Sequence, residues 1–178
     1  VTEEICIPII ENLLKNNFEV LIAASGRPLQ LLQEEFPKIK SIEFKDYNIS
    51  YSNYLPMSIN ILIQIPKLFL AIKKEQNILN KIIKSQKIDG VISDNRYGLY
   101  TKKVPCVFIT HQLQIKSPIL QAIIQKINYK FISKFKECWI IDDENINLAG
   151  SLSKPEYIPK KSKYIGTLSR FKKIKSAK

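Results

Sequence analysis

Four short apolar runs constrain this chain most: FEVLIAA at 18–24, DGVIS at 89–93, VPCVFIT at 104–110 and CWIID at 138–142. They lack the regular polar–apolar alternation of a strand with one wet face. Apolar runs of this length are strands buried on both sides, as in a parallel sheet. Helical stretches separate them. Ile5 to Lys15 places Ile5, Ile9, Ile10, Leu13 and Leu14 at helical spacing, and Pro8 fits if that helix starts close before it. Pro28 to Phe36 reads as a helix with Leu31 and Leu32 inward, and Ile39 to Phe44 as a strand with a more exposed face.

A loop rich in Tyr and Asn spans 46–54, and a long helix runs from about Ser58 to Ser85. Ile61, Ile65, Leu68, Phe69, Ile72, Leu79, Ile82 and Ile83 form its inner stripe, with Lys73, Lys74, Glu75 and Lys81 opposite. Pro66 should bend it. Ser117-Pro118 opens a helix to about Lys136, and Lys163 to Ile165 is a short strand before a basic tail. The order predicts an α/β fold, a parallel sheet with helices on both faces. A doubly wound domain begins on a strand that is central to its sheet. Because this chain begins on a helix, the expectation is that the first strand is missing.

Composition supports one domain over residues 1–168. With 178 residues, 45% of them hydrophobic, the chain can build a core and is not of the disordered class. Cys6, Cys106 and Cys138 are an odd number without ligand-like spacing, so they read as core residues in a reducing compartment. The longest uncharged stretch, 47–66, carries Asn48, Asn53, Asn60, Gln64 and two prolines, too polar to sit in hydrocarbon. The opening Val-Thr-Glu-Glu has no basic region of a secretory signal.

The net charge of +12 is unevenly placed. Residues 1–94 are neutral overall, whereas 95–136 hold eight basic side chains and no acidic one. Residues 137–153 hold four acids, and 154–178 nine basic residues against one acid. Lysine outnumbers arginine 25 to 3, which argues against nucleic acid, where arginine gives the bidentate contacts.

Ligands of open α/β sheets bind beyond the carboxyl ends of the strands. Polar residues gather at three such ends: Ser25-Gly26-Arg27, then Asp94-Asn95-Arg96-Tyr97-Gly98, then Thr110-His111-Gln112. Each has an ordinary reading as well. Ser-Gly is common turn chemistry, Asp-Asn tolerates left-handed backbone and caps helices, and a lone histidine is often structural. His111, the one histidine, has a side chain suited to acid–base work or to a phosphate or sugar hydroxyl. Gly98 would allow close approach of a ligand. No zinc spacing, P-loop or dinucleotide fingerprint is present, so neither a metal nor a cofactor is expected.

CIPIIENLLKNNFEVLIAASGRPLQLL, IDGVISDNRYGLY, KVPCVFITHQL, CWIIDDENINLAGSLSKP and KYIGTLSRF together resemble the N-terminal half of a predicted bacterial glycosyltransferase of the Bacteroidetes type. That group is similar to the family-28 glycosyltransferases, which include the peptidoglycan N-acetylglucosaminyltransferase. SDNRYG and THQL are the most specific blocks, and the resemblance covers nearly the whole chain. It implies a Rossmann-like domain of a GT-B enzyme on the acceptor side, with 169–178 the start of an interdomain linker and the donor domain beyond. Asp94 to Gly98 and His111-Gln112 match family blocks and are carried over as cleft residues, with His111 and Asp94 the catalytic candidates. A glycine-rich loop with a histidine, which relatives carry before CIPII, has no counterpart here. Relatives also read WIPD and IGPLSR where this chain has Trp139-Ile140-Ile141-Asp142 and Ile165-Gly166-Thr167-Leu168.

The expected function is hexosyl transfer, with N-acetylglucosaminyl a candidate group, from a nucleotide-sugar donor to a cell-envelope glycan or lipid-linked acceptor. The expected place is the cytoplasm, peripheral on an anionic membrane surface. There, Lys116, Lys126, Lys130, Lys134 and Lys136 would face lipid. The alternatives are a sugar-nucleotide epimerase of GT-B fold, a basic binding module without activity, and a folded remnant.

Overall fold

The computed structural model describes residues 2–44, 57–115, 120–143, 152–153 and 158–168, and for 2–4 and 57–65 the backbone alone. The elements, in order, are α1 (Thr2–Lys15), β1 (Ile22–Ala24), α2 (Gly26–Glu35), β2 (Ser41–Glu43), α3 (Met57–Gln86), β3 (Val91–Asp94), β4 (Cys106–Thr110), α4 (Gln121–Ile132), β5 (Glu137–Ile140) and β6 (Ser162–Tyr164). Their types and succession are those the sequence predicts, and every strand pairing is parallel. This is a Rossmann-like α/β fold with helices flanking parallel sheets. The 46–54 loop, the Ser117-Pro118 helix start, the side chains of Ile61 and Ile65 and the basic tail lie outside the described residues.

The strands form two sheets rather than one: β1-β2, and β3-β4-β5-β6. Contacts divide the chain accordingly into two compact units, one with α1, β1, α2 and β2, the other with α3 to β6.

In the first unit, Ile7, Ile10, Ile22 and Leu32 make the core. Here α1 differs from expectation. Ile7 is buried and Leu14 is 41% exposed, so the inner stripe is Ile5, Ile7 and Ile10. Pro8 sits inside the helix. Asn17 ends α1 in a left-handed conformation (φ 61°). Phe18 N then donates to Leu13 O at 3.0 Å and Asn17 N to Leu14 O at 3.1 Å, the paired bonds of a Schellman end. Phe18, 60% exposed, therefore lies outside the expected strand, which shortens to three residues.

In the second unit β4 and β5 are the interior strands, and on β4 Cys106, Phe108, Ile109 and Thr110 are all buried. Phe108, Cys138 and Ile140 on the sheet pack with Ile132 of α4 and Phe135 just after it. A fully buried Phe contributes about 1.5–3 kcal/mol. The β4–α4–β5 crossover covers the Phe108 face.

The long α3 departs from expectation at two residues. Glu75 is only 4% exposed, on the buried side with Ile72, Leu79 and Ile83 rather than opposite them. Phe69, assigned to the inner stripe, is 48% exposed and meets the Phe131 ring at 5.3 Å. Among the described residues no helix is long and apolar enough to cross a membrane.

Candidate functional site

The carboxyl ends of β3 and β4 are adjacent because the two strands pair in parallel, Asp94 opposite Ile109. After β3 the chain turns at once. Ser93, fully buried, donates its hydroxyl to Arg96 O at 2.7 Å. Asn95 takes a left-handed conformation (φ 52°), which its short amide side chain tolerates. Its backbone N donates to Ile109 O at 3.1 Å and its Nδ2 to Asp94 Oδ1 at 3.1 Å. Asp94 and Asn95 are therefore held at the sheet rim.

The next three residues face inward. Arg96 donates Nε to Glu75 Oε1 at 2.8 Å and pairs Nη2 with the same oxygen at 2.6 Å. Tyr97 stacks on Phe108, centroids 5.3 Å apart, and donates its hydroxyl to Asn128 Oδ1 at 2.7 Å. Burial, helped by the neighbouring Cys138, pushes the Tyr97 phenol up to about 12. At Gly98 a Cβ would run into Glu75 Oε2 and approach Glu75 Cβ at 2.7 Å and Ile72 O at 3.0 Å. The close approach that Gly98 permits is thus to helix α3. Arg96, Tyr97 and Gly98 fix the loop, and Asp94 and Asn95 stand at its rim.

After β4, Thr110 Oγ1 donates to Gln112 O at 3.1 Å and accepts from Gln112 N at 3.0 Å, a tight turn around His111. The Nδ1 of His111 is buried and meets no hydrogen-bond partner among the described residues. Gln112 is exposed and donates Nε2 to Gln114 O at 3.2 Å. Leu113 N and Gln114 N both donate to Leu152 O at 2.9 Å.

No family model, curated protein or solved structure matches this chain.

Beyond β5, Asp142 is 1% exposed, and its Oδ2 accepts from Ser153 Oγ at 2.5 Å while its Oδ1 accepts from Asp143 N at 2.8 Å. Tyr164 of β6 donates to Ser153 O at 3.0 Å. This cluster pins residues 152–153 against the strand ends. Sequence reasoning passed over Asp142, Ser153, Asn128 and Glu75. For Glu75 and Asn128 the signal was present, a polar residue at a buried helical position. In the first unit, Ser25 is 8% exposed at the carboxyl end of β1 and caps α2 with its backbone but not its hydroxyl. Gly26 follows with φ 54°.

Burial raises the Cys106 thiol and pushes the Cys138 thiol up to about 11, as befits core residues. No group of three or more His, Cys, Asp or Glu among the described residues could hold a metal.

Proposed function

We propose that this chain is the acceptor-binding half of a glycosyltransferase that moves a hexosyl group, such as N-acetylglucosaminyl, from a nucleotide-sugar to a cell-envelope or lipid-linked acceptor. The observation that carries the reading is the rim of the four-stranded sheet. Asp94-Asn95 and His111-Gln112 leave adjacent parallel strands at their carboxyl ends, and His111 Nδ1 meets no hydrogen-bond partner among the described residues. The resemblance of SDNRYG and THQL to the glycosyltransferase blocks supports it from the sequence side.

In this reading a base takes the proton of an acceptor hydroxyl, which attacks the anomeric carbon of the donor. The leaving nucleoside diphosphate is stabilised by the donor-binding half. Asp94 and His111 orient the acceptor hydroxyl, and analogy favours an inverting course. The enzyme works in the cytoplasm at an anionic membrane face.

The test is amide NMR of this chain titrated separately with an N-acetylglucosamine-containing acceptor and with a nucleotide-sugar. Acceptor-induced shifts at Asp94, Asn95, His111 and Gln112, with none from the nucleotide-sugar, are expected. Shifts from the nucleotide-sugar alone would refute the acceptor-side assignment. In the full-length enzyme, His111→Ala should abolish most transfer.

A further inference from the structure

One helix side chain holds both loops of the candidate site. Asn128 of α4 is 3% exposed. Its Oδ1 accepts from Tyr97 in the loop after β3, and its Nδ2 donates to Leu113 O, in the loop after β4, at 2.9 Å. Both ends of the amide are used, so neither a rotation nor a flip is neutral. Gln125, one turn earlier, donates Nε2 to the same carbonyl at 2.8 Å and accepts from Ile115 N at 2.9 Å.

Leu113 is consequently anchored at every group. Its N–H is bonded to Leu152 O, its carbonyl accepts twice, and its side chain is fully buried. On the other side of His111, the Thr110 hydroxyl is closed on Gln112. His111 and Gln112 hang between two fixed points, and Asn128 ties the second of them to the Asp94–Asn95 loop.

We propose that Asn128, with the Tyr97 hydroxyl as its donor, is a positioning residue that sets the His111–Gln112 loop against the Asp94–Asn95 loop. The proposal deepens the transferase reading and rests on it for its catalytic meaning. Displacing either loop strands a buried polar group, the Tyr97 hydroxyl or the Asn128 amide, so the arrangement is discrete rather than soft. In the full-length transferase, loosening it should lower kcat, by up to about 10²-fold for a misplacement near 1 Å, with KM little changed.

The single histidine makes the test direct. In the full chain, the imidazole Cε1–Hε1 NMR signal belongs to His111 alone. Tyr97→Phe keeps the ring on Phe108 and Phe131 and removes only the hydroxyl. Adding Asn128→Leu removes the acceptor that the first change strands, while Gln125 still serves Leu113 O. Positioning predicts that the His111 signal moves or doubles in Tyr97→Phe. It predicts further that the signal stays displaced in the double variant, although the melting temperature lost by the first change is regained. A merely stabilising role predicts a wild-type His111 signal in both folded variants while only the melting temperature falls and recovers, and that result overturns the proposal. If the double variant does not fold, Tyr97→Phe alone decides. No sugar enters this measurement. Failure of the transferase reading would appear separately, as the absence of sugar transfer by the wild-type full-length protein.

Discussion

Gly98→Ala is the sharpest test of how the rim is built. Gly98 is not among the positive-φ glycines, so its backbone suits alanine. With room for a methyl group, alanine there would stabilise by about 0.4–1 kcal/mol through the unfolded chain. The room is missing. The added Cβ would lie 2.7 Å from Glu75 Cβ and 3.0 Å from Ile72 O, where ordinary contact begins at 3.4 Å. Ile72 O is helix backbone, and Glu75 is held by Arg96, so neither neighbour gives way easily. Overpacking of this kind costs about 1–3 kcal/mol. If α3 shifts enough to part Glu75 from Arg96, the stranded charge adds about 3–5 kcal/mol. A loss near 3 kcal/mol corresponds to roughly 10–15 °C in melting temperature for a unit of this size. Trp139, the one tryptophan, lies on β5 of the same unit, so its fluorescence reports the relevant transition. A Gly98→Ala melting temperature equal to or above wild type would refute the close-packing argument.

Glu137 accepts from Trp139 Nε1 and from Lys163 Nζ, both at 2.9 Å, and these bonds hold its carboxyl below the usual range. The contribution is present above the unfolded carboxylate pKa and lost as pH falls through the lowered folded value. Acid melting curves of wild type and Glu137→Gln should therefore converge at the acid end. Burial keeps Cys106 and Cys138 protonated, so a chromogenic disulfide at pH 8 should modify Cys6 first, and all three thiols only in denaturant. On α4, Ile124, Phe131 and Ile132 point inward, while Ile123 is half exposed beside exposed Lys126 and Lys130. Lys134 leans over the Tyr100 and Phe131 rings at 5.0 and 4.9 Å. Lys126→Gln with Lys130→Gln should weaken co-sedimentation of the protein with anionic liposomes, at about 1 kcal/mol for each lysine, and Lys134→Gln less so. Equal binding to neutral liposomes would exclude a docking role.

The succession of elements was legible because buried parallel strands leave unbroken apolar runs that amphipathic helices do not. Strand ends were less so, since a run continues into residues such as Phe18 that the ladder leaves behind. Glu75 shows what hydropathy hides. Its spacing from Ile72, Leu79 and Ile83 places it on the inner face, but a carboxylate reads as solvent-facing unless its partner is known. That partner, Arg96, lies 21 positions away. The same distance problem split the Asp94–Gly98 block. Polar residues at a strand end were recognisable as a group, but their division into rim and anchor depends on α3 and α4, whose contacts no local pattern encodes.

The sequential order of the four-stranded sheet bears on how the chain is assembled during synthesis. Val91 pairs with Cys106, Val107 with Glu137 and Cys138 with Ser162, separations of 15, 30 and 24 residues. Each strand after β3 docks on the one made just before it. Closing such loops differs by only about 0.6 kcal/mol for a doubling in length, so no step waits on an entropically distant partner. Translation can thus lay this sheet down one strand at a time, and α4 is made in time to cover the Phe108 face as soon as β5 arrives. A pause between β4 and β5 would leave that apolar face bare, which makes the 111–136 stretch the interval where a nascent chain most needs protection from aggregation.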